Sequence, residues 1–170
     1  MKYKIILGID NGVSGSVGVV SDEIIEYFPV PTFTQQSYTK KKANITRIDF
    51  KELVNYIADI LGLTVGSEAF AFIERPMVNP MRFQASASAL RAHESVLIVL
   101  EHFNIGYRFI DSKEWQRDML PEGIKGSPEL KKASLDIGIR TCPNLSDVIT
   151  KQGDADGLLI ALYANKTLNK

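Results

Sequence analysis

The stretch Ile6-Leu7-Gly8-Ile9-Asp10-Asn11-Gly12 decides the fold. From Tyr3 to Ile9 the chain is an almost unbroken apolar run rich in isoleucine, the pattern of a central strand covered on both faces. The run stops at an acid, and Asn11-Gly12 favours a tight turn into a second strand. Val17 to Val20 supplies that strand. After the short Ser21-Asp22-Glu23 turn, Ile24 to Phe28 supplies a third, giving an antiparallel meander that Pro29 and Pro31 bring to an end.

From Thr32 to Thr46 the sequence is polar and shows no clear period. It predicts a mobile excursion over 32–47 from a single domain that spans 1–170. Phe50, Leu53, Val54, Ile57, Ile60 and Leu61 then recur with the 3.6-residue period of an amphipathic helix over 49–63, with Asp49 placed as N-cap. Phe70 to Ile73 reads as a short strand ending at Glu74, beyond which Pro76 blocks a regular continuation. Phe83 to Phe103 predicts a long helix and Tyr107 to Ile110 another strand. Lys113 to Leu120 and Pro128 to Arg140 predict two helices, the second with Ser127 as N-cap and Pro128 at its first position. A last helix begins near Asp154 and runs through Ala164. This order predicts an α/β protein: a mixed sheet with helices on both faces, in the sequence of elements of the ribonuclease H-like fold.

The chain has 170 residues, 45% of them apolar, which is enough for one ordinary core. No apolar run approaches the roughly 20 residues of a bilayer span, and the N-terminus lacks signal-peptide features, so an intracellular protein without membrane contact is expected. The single cysteine, Cys142, fits a reducing compartment and reads as a buried thiol. Net charge is zero, which alone argues weakly against a nucleic-acid partner. Charge distribution points the other way. No acid occurs from Tyr27 to Ile48, where Lys40, Lys41, Lys42 and Arg47 lie, and none from Arg75 to His93, which includes Arg82 and Arg91.

Four acids stand where the predicted topology brings chain ends together: Asp10 after the first strand, Glu74 after a later one, and Asp154 and Asp156 at the start of the last helix. Each alone has an ordinary use in a turn, at a strand end or as a helix cap. Together they form a carboxylate cluster, whose mutual repulsion requires protons or cations at neutral pH. Hard oxygen donors select Mg²⁺ or Mn²⁺. Two such ions about 4 Å apart can activate water against a phosphodiester and stabilise the departing oxygen. The two histidines, His93 and His102, fall in the long helix, where packing or surface roles are expected.

The stretches Ile6 to Gly12, Phe72-Ile73-Glu74-Arg75-Pro76 and Asp154-Ala155-Asp156-Gly157-Leu158-Leu159-Ile160-Ala161 resemble, in order and spacing over nearly the whole chain, the three acidic motifs of RuvC-like Holliday-junction resolvases of phages and prophages. Met81 to Glu94 resembles the long helix after the glutamate motif. Asp111 to Gln116 and Leu130 to Ser134 resemble the downstream DNA-contacting segments. The resemblance implies an Mg²⁺-dependent endonuclease with two ions per site and Asp10, Glu74 and Asp156 as ligands. It further implies a homodimer that cuts opposed strands of a four-way junction or other branched DNA, in the cytoplasm of a bacterial or phage-infected cell. Met77 stands where relatives carry a wedging aromatic, and Met77, Met81 and Phe83 could supply such an apolar insertion or fill core. Arg75, Arg82, Lys113, Lys131, Lys132 and the triplet Lys40, Lys41 and Lys42 are candidate DNA contacts. Trp115 reads as core.

One departure concerns the fourth ligand. Relatives place an acid or histidine three or four residues before the helix aspartate, where this chain has Gly153 and Gln152. Asp154 is the substitute, but two positions inside one regular helix point to nearly opposite sides. Asp156 is therefore expected as the direct ligand and Asp154 as the N-cap, able to reach the site only if its backbone is not yet helical. A nuclease of structured RNA on the same fold, a branched-DNA-binding module without catalysis, and an actin-like phosphate-binding domain are the alternatives. The second predicts a missing acid. The third needs a duplicated half that 170 residues do not contain.

Overall fold

The computed structural model describes residues 3–40, 42–62 and 66–169. Strands β1 (Ile5–Ile9), β2 (Ser16–Ser21) and β3 (Ile25–Pro29) form the expected meander. A separate hairpin, β4 (Thr32–Gln36) with β5 (Asn44–Ile48), follows. Then come α1 (Phe50–Leu61), β6 (Ala69–Glu74), α2 (Phe83–His102), β7 (Gly106–Ile110), α3 (Ser112–Met119), α4 (Ser127–Thr141), α5 (Ser146–Gln152) and α6 (Asp156–Leu168). The main sheet has the order β3-β2-β1-β6-β7. Its first three strands are antiparallel, and β6 and β7 run parallel to β1.

Side-chain alternation along β1 explains why every one of its residues is buried. Ile5, Leu7 and Ile9 pack into a core with Leu53 and Ile57 of α1 and Val96, Val99 and Leu100 of α2. Ile6 points the other way, into a core with Phe72, Ile110, Trp115, Ile149, Leu158 and Leu159. Two apolar layers thus sandwich one sheet, which is what a strand hydrophobic on both faces requires.

Two sequence expectations differ from the structure, and one helix lies where none was expected. The 32–47 stretch is a regular hairpin, with Thr32 paired to Ile48 and Gln36 to Asn44. Its β-branched Thr32, Thr34, Ile45, Thr46 and Ile48 favour a strand, while its hydroxyl and amide side chains hide the usual apolar alternation. Ser127 is the first residue of α4, and Gly126 is its cap position, with no side-chain cap bond. The seven-residue helix α5 is too short to show a period. Asp49 does cap α1, its carboxylate accepting from the Glu52 amide at 3.2 Å. Leu63, expected as the end of α1, and Lys41 lie outside the described residues.

Helix α6 packs backbone against backbone on the middle of the sheet. A methyl group at Gly8 would overlap Ala161 N and the Gly157 carbonyl, one at Gly18 would overlap Leu158 Cα, and one at Gly157 would lie 2.6 Å from Ser16 O. Only glycine permits this approach. Gly8→Ala should therefore destabilise the protein by about 2 kcal/mol or more, lowering Tm by roughly 4–8 °C. Gly106→Ala, where a methyl meets only the movable Phe70 ring, should lower it less, and thermal melts of the two variants compare them directly.

Candidate metal centre

Asp10 follows β1 and Glu74 ends β6. These strands are parallel neighbours with Ile9 opposite Ile73, so both acids leave the sheet side by side at its carboxyl edge, where open α/β sheets place their ligands. The entrance of α6 brings the other two. Asp154 precedes the helix, Ala155 occupies the cap position, and Asp156 is the first helical residue.

That order corrects the expectation that Asp154 is the N-cap. Asp154 still accepts from one amide of the helix entrance, its Oδ1 taking Asp156 N at 3.3 Å, while Ser134 Oγ takes Ala155 N at 3.0 Å and Ser16 Oγ takes Gly157 N at 3.1 Å. The Tyr27 hydroxyl donates to Asp154 O at 2.8 Å. Strand β2, strand β3 and helix α4 thereby fix the backbone of 154–157. Because Asp154 is not helical, the rotation between helical neighbours does not separate it from Asp156. Asp10, Asp154 and Asp156 each bring a carboxylate oxygen within 4.8 Å of the others.

Glu74 stands outside that trio. Its Oε2 accepts a hydrogen bond from Trp115 Nε1 at 2.7 Å, which orients the carboxylate from α3. Trp115 is fully buried, as expected for core. Lys131, anticipated as a DNA contact, donates to Asp154 Oδ2 at 3.0 Å while remaining 56% exposed. Gln152 donates to Ser14 O at 2.9 Å and so holds the turn after Asp10. These three roles were missed by sequence reasoning. The one available signal was Trp115, since a buried indole N–H needs an acceptor.

One lysine does not neutralise this cluster. Burial, then the neighbouring Asp156, Glu74 and Asp154 charges, push the Asp10 carboxyl well above its usual range. Burial pushes Glu74 up to about 7 against the hydrogen bond from Trp115, and Asp156 up to about 6 against Ser134. Among the described residues, none donates a hydrogen bond to the Asp10 carboxylate. Uncompensated hard oxygen donors gathered from a strand end and a helix start fit a divalent cation of the Mg²⁺ or Mn²⁺ kind.

The other expected residues are dispersed. Arg75 is paired with Asp111 at 3.1 Å and lies over the Phe109 ring. Met77, Met81 and Phe83 are 84%, 91% and 72% exposed, which removes core filling as their role. Arg82 is exposed at the entrance of α2, and Lys132 is exposed on α4. Lys113 lines a cavity of about 710 Å³ with Arg117 and Lys125, to which none of the four acids contributes. Lys40 and Lys42 are exposed near the hairpin tip. Cys142 is buried and free. No helix among the described residues is long and apolar enough to cross a membrane.

The raised carboxyls make a stability prediction. A carboxyl whose pKa is raised by folding holds its proton more tightly in the native state, so its contribution favours the fold below its unfolded pKa. That contribution is lost as pH rises through the folded value. For Asp156 and Glu74 this window runs from near 4 to about 6 and about 7. In chelator, Tm should therefore be higher at about pH 5.5 than at about pH 8. Asp10→Asn should raise Tm at the higher pH by roughly 2–4 °C, about 1 kcal/mol. A fall in Tm for this variant in thermal melts would contradict the electrostatic account.

The family model described as Lactococcus phage M3 protein (DUF3882) matches residues 29–166, a span that includes Glu74, Asp154 and Asp156. No curated protein matches the chain. Among solved structures, RuvC of T. thermophilus in complex with Holliday junction substrate superposes with a TM-score of 0.57 at 12% identity, covering 97% of this chain and 95% of that one. A Thermus thermophilus RuvC structure gives 0.48 at 16% identity, covering 97% and 95%. The Fowlpox virus resolvase in complex with its substrate Holliday junction DNA gives 0.47 at 15%, covering 98% and 99%. The chain thus belongs to the Lactococcus phage M3 protein family and has the ribonuclease H-like fold of RuvC.

Proposed function

We propose that this protein is a divalent-metal-dependent endonuclease that cleaves four-way junctions and other branched DNA by phosphodiester hydrolysis. The observation that carries the reading is the convergence of Asp10, Asp154 and Asp156 within 4.8 Å, beside Glu74 at the next strand end and facing a single lysine. The likeness in fold to a RuvC solved with a Holliday junction supports the choice of substrate.

In this reading Asp10, Asp156, Glu74 and Asp154 hold two Mg²⁺ ions, for which Mn²⁺ substitutes. A divalent ion bound by these carboxylates would supply Lewis acidity that lowers the pKa of an attacking water and offsets charge on the departing oxygen. The chain's own residues do the rest. Lys131 fixes Asp154 with one of its three donors, leaving others for a phosphate oxygen. Trp115 keeps Glu74 aimed at the sheet edge. Met77, Met81 and Phe83, exposed between the Glu74 strand and the body of α2, form an apolar wedge for the junction. Arg75, Arg82, Lys113 and Lys132 contact phosphates, Arg75 by exchanging its Asp111 partner. A homodimer sets two such sites on opposed strands.

The test is a cleavage assay comparing four-way junction, flap, fork, linear duplex and structured RNA, each with Mg²⁺, Mn²⁺, Ca²⁺ or EDTA. Branched DNA should be cut with Mg²⁺ or Mn²⁺, bound with little turnover in Ca²⁺, and left intact in EDTA. Undiminished cutting in EDTA would refute the metal dependence, and preferential cutting of RNA would move the protein to the ribonuclease class. Asp156→Asn should lower the rate at least roughly a hundredfold, about 2.7 kcal/mol, while junction binding persists. Asp154→Asn should cost less, because its two oxygens already accept from Lys131 and the Asp156 amide. A dead Asp154→Asn beside a near-normal Asp156→Asn would reverse these assignments.

A further inference from the structure

The two acid-free stretches of the sequence, 27–48 and 75–93, meet in space. Arg91 of α2 donates from Nη1 to the Tyr38 hydroxyl at 3.1 Å, with its guanidinium carbon 6.0 Å from the centre of the Tyr38 ring. We propose that the β4–β5 hairpin and the neighbouring stretch of α2 form one clasp for the sugar–phosphate backbone of DNA, an arm continuous with the carboxylate site. This rests on the nuclease reading and extends it to a part of the chain outside the site.

The hairpin is a separate unit laid against α2. It forms its own two-stranded sheet with no ladder to the main one. Its ends are held by Val30 N donating to Gly15 O at 3.0 Å and Asp49 N donating to Pro31 O at 2.8 Å, with Ile48 buried in the core. Beyond these anchors, Lys40, Lys42 and Arg47 are exposed and take part in none of the ion pairs among the described residues. Arg47 lies over the Phe33 ring at 5.8 Å, and Tyr38 is 68% exposed. With net charge zero over the chain, cations gathered here leave acids in excess elsewhere, so this side presents a positive field to a polyanion.

Chemistry and position both favour a phosphate backbone as the occupant. Exposed Thr34, Gln36, Thr39 and Asn44 add neutral donors of the kind that bind phosphate and sugar without reading sequence. Arg91 Nε is buried and has no hydrogen-bond partner, so the guanidinium at the junction of hairpin and helix retains unused donor capacity. The link to the catalytic edge is direct: Asn11, next to Asp10, donates to Ala89 O at 3.3 Å, two residues before Arg91. A strand leaving the carboxylates along this part of α2 meets Arg91, Tyr38 and then the hairpin cations.

The experiment uses the full chain carrying Lys40→Ala, Lys42→Ala and Arg47→Ala together, with a Lys40→Glu/Lys42→Glu chain as a second variant. Four-way-junction affinity is measured in Ca²⁺ from about 50 to about 200 mM salt, and single-turnover cleavage is measured in Mg²⁺ at saturating protein. The slope of log K against log salt should fall by about 0.9 for each lost contact, so by up to about 2.7 per protomer. Tm should be unchanged, and the charge reversal should weaken binding at least roughly tenfold at the lower salt. An unchanged slope in a triple variant that still binds and cuts overturns the clasp while leaving the nuclease standing. A reduced slope in a protein that binds junctions but never cuts them supports the clasp and removes the nuclease. Absence of DNA binding by the unmodified chain overturns both.

Discussion

The seating of α6 on β1 and β2, backbone against backbone, is the constraint on which the rest of the molecule depends. Gly8, Gly18 and Gly157 leave no side chain between the helix and the strands, so the entrance of α6 lies against the sheet at the end where β1 releases Asp10. Ser16 and Ser134 then bind the amides of Gly157 and Ala155. The helix can neither lift nor rotate without breaking these bonds, and the distance between Asp10 and Asp156 is set by packing before any ion is considered. The geometry of the carboxylate site is in that sense a property of the core.

The same packing makes the site costly. Burial and mutual repulsion raise the Asp10, Glu74 and Asp156 carboxyls, and Lys131 relieves the repulsion only in part, through Asp154. A chain selected for stability alone would place amides or apolar groups at these positions. The strain is local and electrostatic, and the surrounding apolar layers hold it in place.

Much of this was legible in the sequence. The apolar run into Asp10, the strand into Glu74 and the periodic stretches of α1 and α2 announce themselves because burial on one or two faces leaves a period that residue types reveal. The hairpin does not, because its strands carry Thr and Gln where a buried strand would carry Val and Ile. Lys131 with Asp154, and Trp115 with Glu74, join residues 23 and 41 positions apart, and no local pattern encodes such pairs. The non-helical backbone of Asp154 follows from Gly153, which ends α5 in the left-handed conformation with φ 90°. Without α5 in view, that break could be stated only as a condition on Asp154. Gly8 and Gly18 inside strands were a readable sign of close approach by another backbone.

Crystals grown or soaked with Mn²⁺ and measured for anomalous scattering test the central claim most directly, because they report the ion itself and not an activity that depends on it. The account predicts manganese peaks bounded by Asp10, Asp154 and Asp156, with Glu74 on the side of the neighbouring strand, and their loss in Asp10→Asn. Crystals of the folded protein soaked to saturation in Mn²⁺ with no manganese at these carboxylates would contradict it.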